Sequence, residues 1–363
     1  MEKLKFSDVF EDITRQGTKI QTSQYLACGK YQIIDQSQND IAGFTNREDG
    51  LFTGTPVIVF GDHTRVIKYV DRPCFFGADG VKLLKVKNDY LNCRYLYYVL
   101  LNAKIPDTGY NRHFKWLKEI DIPIYDAKIQ NIIVKMLDKI ADLIVKRKQQ
   151  LEKLDELVKS RFIEMFGDII LNPFGWEKDS LGTVCDVRDG THDSPKYYET
   201  GYPLVTSKNV TGGRIDLTDC SLICEVDFNK INERSKVDIG DIIMPMIGTV
   251  GKPVIVKIEP NFAIKNVALI KFKNNSKVLN VYVQTLLQSD YFDDAILSNV
   301  RGGTQKFISL GDIRKLEVLI PPLELQEQFA AFVEQVDKSK FEIKQSLEML
   351  ELLKKALMQK YFG

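Results

Sequence analysis

The chain has 363 residues, 44% of them apolar, and its 50 Lys and Arg against 49 Asp and Glu leave a net charge of +1. That composition suffices for two ordinary cores, and no apolar run approaches the roughly 20 residues of a membrane span. The near-neutral charge argues against autonomous, tight DNA binding but not against DNA binding within a complex whose partners supply phosphate contacts.

The polar, mixed-charge start MEKLKFSDVFEDITRQ shows no signal-peptide pattern. Six scattered cysteines, at 28, 74, 93, 185, 220 and 224, suggest reduced thiols rather than a disulfide framework. A cytoplasmic protein without membrane attachment is expected.

Residues 1–125 read as a mixed α/β domain. Stretches 31–35, 56–60, 66–70 and 81–86 are rich in β-branched and aromatic residues and are bounded by glycines, as strands are. Residues 90–102 predict a short helix with Leu91, Tyr95, Leu96 and Val99 inward. From Asp126, a plausible N-cap, the period changes. Ile133, Leu137, Ile140, Ile144, Leu151, Leu154 and Val158 follow a coiled-coil seam, so 126–167 predicts one long helix. Thirty-eight such residues would extend roughly 57 Å.

Residues 168–322 then repeat the first domain's plan. Strands are expected at 201–210, 240–247, 253–258 and 267–272, and a short helix at 281–289. Pro321 and Pro322 sit where a first helical turn accepts proline, and 323–363 predicts a second long helix. The two helices are copies. Segment 130–167 aligns without a gap on 326–363, and Gln130, Lys148, Gln149, Leu151, Glu152, Leu154, Leu157, Lys159, Phe166 and Gly167 recur as Gln326, Lys344, Gln345, Leu347, Glu348, Leu350, Leu353, Lys355, Phe362 and Gly363. Arg147, Lys340 and Lys354 fall in the seam, where polar residues can fix register. The simplest packing pairs the helices antiparallel. The expected class is therefore α+β: two mixed α/β domains in a pseudo-two-fold tandem repeat, separated by two long helices that form an antiparallel coiled coil.

No enzyme signature survives scrutiny. Asn172-Pro173-Phe174 lacks the second proline of a methyltransferase loop, no phosphate loop or His-Glu-x-x-His helix is present, and His63, His113 and His192 are far apart in sequence. Loops rich in glycine, amides and cations are the better signal. Glycine permits close backbone approach, Lys and Arg neutralise phosphate, and Asn, Gln and Arg read base edges. In the second domain these loops supply Arg188, Thr191, His192 and Lys196; Ser207, Lys208 and Asn209; Thr249 and Lys252; and Arg301, Thr304, Gln305 and Lys306. In the first domain the candidates are His63, Arg65 and Lys68, then Tyr110, Arg112, His113 and Lys115.

With these motifs in order, the chain resembles the specificity subunits of type I restriction-modification systems. The likeness rests on Phe166-Gly167-Asp168 before Asn172-Pro173-Phe174-Gly175-Trp176, Asp189-Gly190-Thr191-His192, Gly240-Asp241-Ile242-Ile243 before Gly248-Thr249-Val250-Gly251, and Gly303-Thr304-Gln305-Lys306 before Ile320-Pro321-Pro322-Leu323 and Gln326. The resemblance implies a non-catalytic subunit. Two target-recognition domains would each read half of a split, asymmetric DNA site. The helices would set the spacing and dock two methyltransferase subunits that carry S-adenosylmethionine, and separate motor-nuclease subunits would cut. No cofactor is expected on this chain. Two other readings stay open: the recognition subunit of a related nuclease-methyltransferase that cuts near its site, and a coiled-coil scaffold with no DNA role. The first domain departs from the pattern, with Phe60-Gly61-Asp62-His63-Thr64-Arg65 and Tyr110-Asn111-Arg112-His113 in place of the two glycine loops.

Overall fold

A computed structural model describes residues 2–77, 79–109, 111–246, 252–273, 275–297 and 308–363. Among them no helix is long and apolar enough to cross a membrane. The chain divides into two compact units, 1–148 with 344–363, and 149–343.

In unit 1 the strands are β1 Glu2–Lys5, β2 Phe10–Asp12, β3 Lys19–Ile20, β4 Tyr31–Ile34, β5 Gly43–Thr45, β6 Val57–Gly61, β7 Ile67–Val70, β8 Phe75–Gly77, β9 Val81–Val86 and β10 Asp121–Ile124. They form one sheet in the order β2-β9-β6-β7, a second in the order β3-β8-β4-β5, and a β1-β10 ribbon. In unit 2 the strands are β11 Glu177–Ser180, β12 Asp186–Asp189, β13 Tyr202–Val205, β14 Val210–Thr211, β15 Arg214–Ile215, β16 Ser221–Ile223, β17 Ile242–Pro245, β18 Val254–Ile255, β19 Ala263–Ile264, β20 Val267–Lys271 and β21 Glu317–Ile320. Here the orders are β12-β20-β17-β18 and β16-β13-β19, with β11-β21 and β14-β15 ribbons.

The two plans match in register. Ile58 faces Leu84 as Ile242 faces Ile270, and Ile33 lies beside Phe75 in parallel as Leu204 lies beside Ala263. Alternation of short apolar strands with glycine-bounded turns builds this frame, and β6, one of the two inner strands of its sheet, is buried throughout.

Each unit also holds a short helix, Cys93–Leu101 in unit 1 and Asn280–Leu286 in unit 2. Asn92 caps the first, its Oδ1 accepting from the N–H groups of Arg94 and Tyr95. Leu91, Tyr95, Leu96 and Val99 are buried, as the spacing predicts. Tyr95 donates its hydroxyl to the Pro123 carbonyl at 2.7 Å, and Tyr282 donates to that of Leu319 at 3.0 Å. In the helical repeat's frame, Pro123 and Leu319 are equivalent.

The long helices are Ala127–Phe166 and Leu323–Phe362, each of 40 residues. Asp126 Oδ1 accepts the Ile129 N–H at 3.0 Å, so it is a true N-cap. In both units the helix segments run antiparallel. Unit 1 pairs Tyr125 with Tyr361 and Lys148 with Glu351; unit 2 pairs Asp155 with Lys340 and Phe162 with Phe329. Lys340 meets Asp155 at 2.6 Å in the seam.

The repeated residues now have physical roles. Buried Gln130 accepts the Asn92 N–H at 2.9 Å and donates to the Tyr125 carbonyl at 2.8 Å. Buried Gln326 accepts the Leu279 N–H at 2.8 Å and donates to the carbonyls of Pro321 at 2.8 Å and Lys277 at 3.0 Å. Each glutamine fastens the start of the short helix to the entry of the long one. Phe166 lies edge-on to Tyr282 at 4.8 Å, and Phe362 lies edge-on to Tyr95 at 5.6 Å. Such aromatic pairs add about 0.5–1.5 kcal/mol beyond area burial. Gly167 ends its helix at φ +80°, in the left-handed region that favours glycine.

Candidate nucleic-acid interface

In unit 1 the β6–β7 hairpin and the segment leading into β10 come together. The Arg65 Nη2 pairs with Asp107 at 2.7 Å, and Arg65 adopts φ +62° at the hairpin tip. The backbone N–H of His63 donates to Gln36 Oε1 at 3.3 Å, and the Thr64 hydroxyl to the Gln36 carbonyl at 2.6 Å. His113 is fully buried, with its backbone N–H donating to the Asp62 carbonyl at 2.8 Å and its Nδ1 meeting the same oxygen at 3.0 Å. Asp62 in turn accepts the Phe114 N–H at 2.8 Å. Arg112 and Lys115 on this segment are exposed, and Lys115 lies over the Trp116 ring at 4.7 Å.

Unit 2 builds its candidate surface on the β12–β13 connection. Thr191 donates its N–H to the Ile264 carbonyl at 3.0 Å, and the Asn266 N–H returns to the Thr191 carbonyl at 3.2 Å. Asn266 sits at φ +55° in the turn between β19 and β20. The His192 ring is held between Asp189 Oδ2 and Asn266 Oδ1, each at 2.8 Å. Two acceptors on opposite ring nitrogens favour the doubly protonated ring over either neutral tautomer. Asp189 is itself buried and also pairs with Arg234 on the helix Glu225–Ser235. The hydrogen bond to Asn266, then that to Asp189, raises the His192 pKa above the ordinary histidine value.

Because the folded protein holds this proton more tightly, its contribution is complete below about pH 6.5, the ordinary value. It is lost as pH rises through the raised one. We expect Asp189→Asn to move the His192 midpoint downward in an NMR titration of the three imidazoles, and an unmoved midpoint would disprove the bridge.

The remaining candidates divide by exposure. His192, Lys196, Lys208 and Lys252 are exposed in unit 2, with Thr191 and Ser207 partly so. Arg188 is half-engaged, bonded to Asp186 at 2.6 Å and to the Arg234 carbonyl at 2.8 Å. Three residues offered from sequence as contacts are buried and occupied internally. Lys68 reaches the Asn39 carbonyl and Asp35, His113 braces its loop, and Asn209 accepts the Thr206 N–H and hydroxyl at 3.0 and 2.9 Å. Tyr110, Thr249, Arg301, Thr304, Gln305 and Lys306 lie outside the described residues. Arg234 and Asn266 were missed by sequence reasoning, and Asp189 entered it only as part of the Asp189-Gly190-Thr191-His192 motif. Only the position of Asn266 between two apolar strands hinted at a left-handed turn.

The family profile described as "Type I restriction modification DNA specificity domain" matches residues 1–154 and 173–352. The chain belongs to this family. It is 26% identical over 302 residues to the type I restriction enzyme MjaVIII specificity subunit of Methanocaldococcus jannaschii, covering 76% of this chain and 70% of that one. It is 21% identical over 319 residues to the EcoBI specificity subunit of Escherichia coli, covering 77% and 67%. The match to the putative MjaX specificity subunit of M. jannaschii is 25% identical and covers 52% of this chain, and this chain spans about half of that relative, 46%. Among solved structures, the type I S subunit from M. genitalium shares the fold at TM-score 0.62 and 17% identity, over 100% of this chain and 96% of that one. A chain from a study of complex assembly and conformational transition in the type I system matches at TM-score 0.54 and 16% identity, over 99% and 97%. The family's domain model thus matches twice, once over each half of an α+β chain whose two units repeat one plan and whose two long helices run antiparallel.

Proposed function

We propose that this specificity subunit is non-catalytic and reads a split, asymmetric DNA site, one half per unit. The long helices set the gap and dock two methyltransferase subunits, which carry S-adenosylmethionine, and motor-nuclease subunits join that core. The observation that carries the reading is one strand register used twice under different loops. A shared frame with His192, Lys196 and Lys208 on one copy, and Arg112 and Lys115 on the other, suits two readers of unlike sequences.

The helices support the docking half of the reading. Gln130/Gln326 and Phe166/Phe362 recur because the fold uses them. Lys148/Lys344, Gln149/Gln345, Glu152/Glu348, Leu157/Leu353 and Lys159/Lys355 recur although all are exposed. Leu157 and Leu353 are 46% and 47% exposed, so core packing does not account for their identity. Two copies of one surface suit two copies of one partner.

The test is a map of methylated adenine after co-expression with the neighbouring methyltransferase in a host lacking its own adenine methylation. A split motif with a fixed gap is expected. Arg112→Ala is expected to relax one half, and Lys196→Ala the other. A continuous short motif would mean that a single unit reads DNA. An unmethylated genome, despite a stable complex and an active methyltransferase, would favour a scaffold.

A further inference from the structure

The register match identifies a recognition loop in unit 1 that the composition of the chain conceals. In unit 2, the loop carrying His192 and Lys196 is bracketed by two bridges. Thr191 pairs in parallel with Lys265 before it, and Tyr198 pairs antiparallel with Leu222 after it. Unit 1 has the same brackets. Ile20 pairs in parallel with Gly77, and Leu26 pairs antiparallel with Phe44. The frame beyond agrees, since Phe44 also faces Gln32 as Leu222 also faces Pro203. The segment enclosed in unit 1 is Gln21-Thr22-Ser23-Gln24-Tyr25, one residue shorter than its counterpart from His192 to Tyr197.

This loop is internally hydrogen-bonded and exposed. Residues Thr22–Gln24 form a 3₁₀ turn in which the Gln24 N–H donates to the Gln21 carbonyl at 2.9 Å and the Tyr25 N–H to that of Thr22 at 3.2 Å. Gln24 Oε1 accepts the Gln21 N–H at 3.4 Å and the Gln21 side chain faces the Gln24 N–H in return, a capping box that braces the turn and leaves the Gln21 amide donors uncommitted by it. Gln21, Thr22, Ser23 and Gln24 are all exposed. Its chemistry differs from that of unit 2. Where the unit 2 loop opens on the titratable pair His192-Asp193, this one opens on the uncharged pair Gln21-Thr22. A glutamine amide carries both a donor and an acceptor and so matches the N6–H and N7 edge of adenine in the major groove.

Resting on the DNA-reading function proposed above, we infer that Gln21 is a specificity-determining residue of unit 1 and reads an A·T base pair through its side-chain amide. Thr22 and Ser23 flank it, and Gln24 positions it.

The experiment uses the full chain assembled with its methyltransferase. The probes are duplexes bearing the mapped motif and single base-pair changes of it, and the readout is methylation rate. Lys196→Ala marks the half-site that belongs to unit 2. Gln21→Ala is expected to lower discrimination at one A·T pair of the other half-site by roughly 5- to 150-fold, with the unit 2 half-site unaffected. Gln21→Glu, of equal size but unable to donate, is expected to do the same, which separates lost reading from lost packing. If both variants discriminate as the parent does at every position, Gln21 is not a reader, while the DNA-reading function stands. Equal losses in both half-sites would likewise overturn the assignment. If the parent complex itself distinguishes no sequence, the functional reading fails and this inference with it.

Discussion

Gln326→Ala is expected to destabilise unit 2 by about 3–5 kcal/mol, read as an earlier unfolding midpoint in denaturant. The residue is fully buried, and its amide satisfies the Leu279 N–H and the carbonyls of Lys277 and Pro321. Truncation leaves a donor and two acceptors in a site shaped for neither water nor alanine. Each buried polar group left unpaired costs about 1–3 kcal/mol. Gln130→Ala is expected to act in the same way on unit 1, where the losses are the Asn92 N–H and the Tyr125 carbonyl. Gln326→Glu keeps an acceptor for Leu279 but not the donors, so it should rescue little. A midpoint unchanged in both alanine variants would mean that water takes over these bonds. The consequence for function is positional. The glutamine ties the short helix to the first turn of the long one, so its loss should loosen the recognition unit where it joins the helix.

That example shows what was legible in the sequence and what was not. Identity at Gln130 and Gln326 stood out as a repeat, but the partners are backbone groups of Asn92 and Leu279, far off in sequence, and no periodicity points to them. Strongly apolar strands such as β6 and β20 announced themselves. β1 and β11, four residues each and rich in charge, did not, because their pairing with β10 and β21 is set by tertiary context. The helix Glu225–Ser235 carries so little apolar surface that its pattern does not rise above a loop. At the candidate interface, residue type alone does not separate polar side chains that serve the fold from exposed ones. Lys68, His113 and Asn209 have donors suited to DNA, yet each is buried against backbone oxygens or N–H groups of its own unit. Conversely, nothing in the composition draws attention to Gln21, whose loop carries no charge and no glycine. Only the paired bridges on either side reveal it as the counterpart of His192.

Gly190→Ala should abolish reading by the His192 loop while sparing unit 1. A Cβ at position 190 would stand 2.4 Å from the Ile264 carbonyl oxygen and 2.8 Å from the Lys265 nitrogen. Both are backbone atoms of the neighbouring turn, so no rotamer change relieves the clash and the two chain segments must separate. The cost is about 3 kcal/mol, the upper end for overpacking. Separation stretches the bonds from Gly190 to Val267 and from Thr191 to Ile264, and it draws His192 away from the Asp189 carboxylate and Asn266. The methylation motif of the variant complex should therefore become degenerate in one half and keep its gap. His192 should titrate closer to an ordinary histidine. Gly311→Ala is the control. Its nearest neighbour would be Ser309 Oγ at 3.6 Å, within the short helix Leu310–Lys315, and the motif should not change. Retention of both half-sites by Gly190→Ala would show that the loop tolerates separation from the β19–β20 turn. The specificity of unit 2 would then have to come from its other loops. Loss of both halves together would mean that the units do not read independently. The one-sided result follows only if each frame holds its own reader, and it is the outcome that two different loop chemistries on one repeated register lead us to expect.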